Sequence, residues 1–153
     1  MSDALNHFGS ADLATLRRSQ SLAALEFHET IESTNDRARD LAAQADAALP
    51  ALVVAGLQTA GRGRGANRWW AGRGSLAFSL AIDIAAYSLA RRRLPMLSLA
   101  TAVAVGEALL AHDDRLDIRW KWPNDVFAGE RKLAGILIEP LAARPERIVV
   151  GIG

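Results

Sequence analysis

Apolar positions along this chain change period several times, and each change predicts an element. In "ESTNDRARDLAAQADA", residues 32–47, Ala38, Leu41, Ala42 and Ala45 recur at three- and four-residue intervals and form one face of a helix. Ser33 and Asp36 stand in capping-box spacing at its start. Pro50 separates it from "ALVVAG", residues 51–56, a β-branched run that predicts a buried strand. "SLAFSLAIDI", residues 75–84, predicts a second strand, too continuously apolar for its faces to be assigned. "RLPMLSLATAVAVGEALLAH", residues 93–112, predicts a long buried helix. "DIRWKW", residues 117–122, alternates, with Ile118, Trp120 and Trp122 toward a core and Asp117, Arg119 and Lys121 away from it.

The turn "PND" then leads into "VFA", a Gly129-Glu130 turn and "KLAGILIE", together a β-hairpin, and "RIVVGIG" is a last strand. Residues 1–24 allow a short helix through Leu13, Leu16 and Leu22 and no more. Strands with helices packed on them make an α+β or mixed layer architecture. An apolar β-run that continues to the last residue leads to the expectation that the sequence is cut short.

Composition narrows the chemistry. Half of the 153 residues are hydrophobic, which predicts a globular chain of one domain or part of one. The 18 basic and 17 acidic residues nearly cancel, so whole-chain charge favours neither nucleic acid nor membrane, and any basic function is local. Without cysteine there is no disulfide, thiolate metal site or cysteine nucleophile, in keeping with a reducing cytoplasm. His7, His28 and His112 are scattered without metal-ligand spacing. No unbroken run of about 18 apolar residues occurs, and a soluble, cytosolic protein is expected.

"QTAGRGRGANRWW", residues 58–70, carries the most specific signal. Gly61, Gly63 and Ala66 fit a dinucleotide fingerprint with Asp83 as its acid, but the short segment before the next strand leaves no room for the helix that the fingerprint requires. Gly56 and Gly61 fit a phosphate loop, but Arg62 and Gly63 stand where lysine and serine or threonine belong. An RNA-binding arginine-glycine tract would be repeated. The remaining readings are a solvated turn and a mobile anion-binding loop, whose glycines admit a ligand to the backbone while Arg62 and Arg64 offset its charge. Further along, the predicted hairpin folds Lys132 back toward Asp125, a pair that is either a surface salt bridge or an oriented ammonium.

Three blocks, "ESTND", "QTAGRGRGANRWW" and "KWPNDVFAGERKLAGILIE", resemble the biotin protein ligases in order and approximate spacing, over roughly residues 27–153. The resemblance implies the biotin and lipoate ligase catalytic fold, akin to class II aminoacyl-tRNA synthetases. It implies a two-step reaction: biotin and ATP give biotinyl-adenylate with Mg²⁺ assisting, and a lysine of a biotin carboxyl carrier domain then takes the biotin. By resemblance, Ser33, Thr34, Asn35 and Gln58 contact the biotin ureido ring, and Gly61, Arg62, Gly63 and Arg64 cover its tail and phosphate.

Lys132 resembles the lysine at the reacting carboxylate, with Gly135 leaving room beside it. Lys121, Asn124 and Asp125 resemble the adenylation corner, and Trp69 the loop tryptophan that meets ATP; Lys132, Arg64, Asp125 and Lys121 are the catalytic candidates. No dedicated metal ligands are assigned. Residues 1–24 then form an extension that is not a DNA-binding domain. Residues 25–153 form the N-terminal portion of the catalytic domain, with a C-terminal domain missing and pairing of two copies left open. Two alternatives stand beside this: a biotin-binding fragment without activity, and a lipoate or octanoate transferase of the same superfamily.

Overall fold

A computed structural model describes residues 9–70, 72 and 74–153. Among these residues there are three α-helices, α1 (Ser10–Arg17), α2 (Thr34–Ala43) and α3 (Leu94–His112). The strands are β1 (Ala24–Ile31), β2 (Ala51–Gln58), β3 (Ala77–Asp83), β4 (Ile118–Lys121), β5 (Asp125–Ala128), β6 (Arg131–Pro140) and β7 (Arg147–Ile152). All seven form one mixed sheet in the order β1-β2-β3-β7-β6-β5-β4. Only β1 and β2 run parallel, joined through α2; every other pair is antiparallel. The α+β expectation therefore holds.

The two faces of the sheet differ in what covers them. On one face α2 lies against β2, β3 and β7 through Ala38, Ala42, Ala51, Val53, Ala81 and Val149, all buried. Alanine at four of these six positions lets the helix sit close to the sheet. Ser33 caps α2, its hydroxyl accepting the Asp36 N–H at 3.3 Å. At the other end Arg147, 9% exposed, donates to the Ala42 carbonyl at 2.8 Å, a cation on orphaned helix-end acceptors. Ala45 lies beyond the end of α2 and is exposed, so the expected apolar face is one turn shorter.

On the opposite face α3 packs across Ile136, Ile148, Val150, Val126 and Ala134. Trp120 reaches it from β4: its indole N–H donates to the Ala102 carbonyl at 3.0 Å, and a Cβ on Gly106 would lie 2.7 Å from the ring. The expectation that α3 is buried is corrected here. Only Ala102 and Gly106 are buried, while Met96 is 69% exposed. An 18-residue window within Arg91–His112 has a mean hydropathy of 1.7, which meets the length and composition of a membrane span, although Ser98, Thr101 and Glu107 break the apolar run as the sequence shows. Trp122, expected in the core, is 78% exposed, because β4 ends at Lys121 and the tryptophan begins the turn.

Strand β1 was not foreseen. Leu25, Phe27 and Ile31 alternate with Glu26, His28 and Thr30, but Glu29 falls on the apolar side and breaks the period. Part of that charge has a structural use. Arg37 of α2 donates to both Glu26 oxygens at 2.8 Å, and His28 Nε2 lies 3.0 Å from one of them. The Arg37 hydrogen bonds outweigh the opposing effect of burial and, with the contribution of His28, hold the Glu26 carboxyl below its ordinary 4.5. A carboxylate with a depressed native pKa stabilises the fold above its unfolded value and loses that contribution as pH falls through the native one. Glu26→Gln is therefore expected to cost less than about 1 kcal/mol at neutral pH, because the pair is part-exposed. Urea titrations at decreasing pH should show the gap to wild type closing below 4.5; a gap that persists in acid would contradict this origin.

Candidate functional site

The site begins at the N-terminus of α2, where the capped turn presents Thr34 and Asn35 to the ends of β2, β3 and β7. Gln58, at the end of β2, accepts from the Thr34 backbone N–H at 2.8 Å and lies 3.0 Å from its hydroxyl. Ser79 of β3, fully buried, sits 2.8 Å from Thr34 Oγ1 and donates to Asn35 Oδ1 at 2.6 Å. Asn35 Nδ2 donates to Glu139 of β6 at 2.9 Å. Ser33, Thr34 and Asn35 are 2%, 3% and 5% exposed, a concentration of polar groups that is tolerated only because each has a partner. Gly151 of β7 provides the space: a Cβ there would lie 2.0 Å from Asn35 Oδ1.

The glycine-arginine loop folds back on itself as a small hairpin. Gly63 N–H donates to Asn67 O at 2.8 Å, Trp69 N–H to Gly61 O at 2.9 Å, and Arg62 bridges Arg68 across the loop. Gly61 is required by this closure, since a Cβ would meet Trp69 O at 2.6 Å, and Gly65 turns the tip at φ +67°. No helix follows among the described residues before β3, consistent with discarding the dinucleotide fingerprint. Trp69 packs across the β6–β7 ends, over Gly135 and Gly153. Trp70 stays 79% exposed, with the Arg68 guanidinium 5.1 Å from its ring centroid.

Arg62 departs from its expected use. Its guanidinium is bonded to Glu139, and its Nε lies 3.3 Å from Asp36 Oδ1. Carboxylates already offset this charge. Among the described residues neither Arg64 nor Arg68 has a carboxylate partner; Arg68 lies against the Trp70 ring, whereas Arg64 faces the cavity without a ring contact either.

The third part is the β5–β6 hairpin. A register shift between Val126 and Phe127 places one extra residue in β6: Phe127 pairs with Lys132, whereas Val126 pairs with Ala134. Strict alternation would turn Lys132 to the α3 face with Ala134 and Ile136. The bulge turns it to the face of Gly135 instead. There Lys132 Nζ lies 2.8 Å from Asp125 Oδ1, an ionic contact without hydrogen-bond alignment, and 5.1 Å from the Trp69 ring centroid. The "PND" turn is fastened to β6 by Asn124, whose Nδ2 donates to Ile136 O at 2.9 Å while its carbonyl accepts the Ile136 N–H at 2.9 Å.

These three parts enclose one cavity of about 570 Å³. Ser33, Thr34, Asn35 and Gln58 lie on its wall, as do Arg62, Gly63, Arg64, Trp69, Asn124, Asp125, Lys132 and Gly135. Two expected site residues do not. Gly61 closes the base of the loop hairpin against Trp69, and Lys121, although opposite Asp125 in register, reaches back over the Phe127 ring at 5.5 Å. The sequence reading passed over Ser79, Glu139 and Gly151. A lone hydroxyl within "AFSLA", a carboxylate ending "GILIE" and a glycine within "IVVGIG" were the available signals, each a break in an apolar run.

A cavity polar at one end and cationic at the other, on one face of a mixed sheet, suits a ligand with an uncharged polar head and an anionic tail. Comparison with known proteins bears on the class. Residues 27–153 match the Biotin/lipoate A/B protein ligase family, and the chain belongs to it. The bifunctional ligase/repressor BirA of Bacillus subtilis is 36% identical over 135 residues, 84% of this chain and 39% of its own length. The Leishmania major biotin protein ligase, solved with biotinyl-5-AMP, superposes with a TM-score of 0.70 at 30% identity over 85% of this chain and 56% of its own. The Aquifex aeolicus biotin protein ligase, solved with biotin and ATP, gives 0.69 at 29% identity over 84% and 50%. The chain thus spans about half the length of these relatives or less.

Gly151→Ala tests the cavity floor. The methyl group must displace Asn35, which Ser79 and Glu139 hold, and overpacking of this kind costs about 1–3 kcal/mol. Urea unfolding should show that loss; a variant as stable as wild type would mean that Asn35 is not held as described.

Proposed function

We propose that this chain supplies the biotin- and adenylate-binding part of a biotin protein ligase. The observation that carries the reading is the single cavity in which Thr34, Asn35 and Gln58 stand at one end and Lys132, Asp125 and Arg64 at the other. Biotin has that polarity, an uncharged ureido ring and a carboxylate tail. Two of the similar structures were solved with biotin and ATP, or with biotinyl-5-AMP.

In the proposed first step a biotin carboxylate oxygen attacks the α-phosphorus of ATP, the bond to the β-phosphate oxygen breaks, and pyrophosphate leaves with the electron pair. Two anions must meet, so the work of the protein is positioning and charge compensation. Lys132 would hold the carboxylate and the new acyl phosphate, kept in place by Asp125 and the face of Trp69. Arg64 would neutralise phosphate from the loop. The loop would also exclude water from the mixed anhydride. In the second step a lysine amine of a biotin carboxyl carrier domain attacks the biotinyl carbonyl and AMP leaves.

A divalent cation delivered with ATP suits the donors present. Mg²⁺ needs only one or two protein carboxylates beside phosphate and water, and Asp125, with the Asn124 amide oxygen beside it, fits that demand. Bound there, it would add compensation for the phosphate charge. A reducing cytosol suits a chain without cysteine.

Because the chain spans about half of these relatives, a narrower reading also stands: binding of biotin without turnover. Calorimetry with biotin and ATP–pyrophosphate exchange separate the two. Lys132→Ala is expected to reduce exchange by at least about a hundredfold, the scale for losing one charge-stabilising group. Its biotin affinity should change far less. Wild-type exchange in this variant would remove Lys132 from the reaction, and absence of biotin binding by the wild-type chain would refute both readings.

A further inference from the structure

We infer that Glu139 is a positioning residue that latches the glycine-arginine loop over the cavity and couples loop closure to Asn35; its use in ligand binding rests on the function proposed above. Glu139 lies on β6 opposite Val149, on the face that α2 covers, with its side chain 23% exposed. Its Oε2 takes the Arg62 guanidinium and the Asn35 Nδ2–H together. The other polar contacts of the loop above its root, Gly63 to Asn67, Trp69 to Gly61 and Asn67 Nδ2 to Arg64 O, are internal to it. They give the hairpin its shape without attaching it to the body. Attachment comes from Arg62, through Glu139 and Asp36, and from Trp69 lying over the β6–β7 glycines.

Arg62 also bridges Arg68, so holding Arg62 holds both arms of the loop. The shared oxygen makes the latch more than a tether. If Arg62 leaves, Glu139 keeps only an uncharged donor. If Glu139 loses its charge, Arg62 enters a mouth that already holds Arg64 and Lys132, with Asp36 as its remaining carboxylate. Like charge then favours an open loop. The position of the lid and the orientation of the Asn35 amide are in this way two readings of one carboxylate.

The test is limited trypsin digestion of the whole chain, following cleavage after Arg64 in wild type, Glu139→Gln, Arg62→Met and the double variant, with calorimetric biotin titration alongside. Both single variants should speed cleavage after Arg64 by about tenfold, the scale of one lost ionic tie on a local opening. The double variant should be no faster than either single one, because both remove the same tie. Cleavage after Arg37 and Arg39 within α2 should not change.

The latch is overturned if cleavage after Arg64 is unaffected, if the two effects multiply, or if α2 is cut equally faster, which would mean general loss of stability. Should Glu139→Gln not fold, Arg62→Met alone carries the digestion test. In the binding arm Glu139→Gln should weaken biotin by about tenfold, through the Asn35 amide that it holds. Unaltered affinity in a variant with an open loop would overturn the coupling. A wild-type chain that binds no biotin would refute the proposed function, and the digestion would still decide the latch.

Discussion

Asn35 has one amide oxygen and one amide nitrogen, and at 5% exposure neither can rely on water. The oxygen takes the Ser79 hydroxyl, the nitrogen gives to Glu139, and the Gly151 backbone passes so close that a methyl group would have no room. Leaving either end of a buried amide unpaired costs roughly 1–3 kcal/mol. Strands β3, β6 and β7 are therefore tied to the first turn of α2 by a side chain that has no alternative position. Thr34 and Gln58 extend the same arrangement to β2. The polar end of the cavity is set when the sheet forms.

The cationic end is organised differently. Arg62, Arg64, Arg68 and Lys132 gather around one opening, and unopposed they would repel one another and spread the loop. Each of three has a local answer: Glu139 and Asp36 for Arg62, Asp125 and the Trp69 ring for Lys132, the Trp70 ring for Arg68. Arg64 is left to meet an anion. Three arginines close in sequence thus take different parts: Arg62 is tied by carboxylates, Arg68 lies against a ring, and Arg64 has neither partner.

Legibility in the sequence followed the range of the forces involved. The α2 cap and the β5–β6 hairpin are local, and Ser33 and Gly129 announce them through backbone geometry. Family resemblance carried the positions of Lys132 and Asp125, but spacing did not show why Lys132 faces the cavity. That depends on one extra residue in β6, visible only against the register of β5. Ser79 and Glu139 were missed because their partners lie 44 and 104 residues away from them on Asn35. Trp122 was misplaced for a related reason: alternation was extended past Lys121, where β4 stops.

The two ends of the cavity are consequently built for different tolerances. The residues proposed to meet an uncharged polar head sit on a helix turn and strand ends, joined by short hydrogen bonds in a water-poor setting, and such groups keep their geometry before any ligand arrives. The residues proposed to meet phosphate sit on a loop whose hydrogen bonds are mostly its own, and on a lysine whose contact with Asp125 lacks hydrogen-bond alignment. In the proposed reaction the ureido ring does not change, whereas charge moves from two reactants to an adenylate and then to AMP. A fixed head site beside an adjustable anionic site suits that sequence. Glu139, which touches the fixed part through Asn35 and the adjustable part through Arg62, is the point at which one can sense the other.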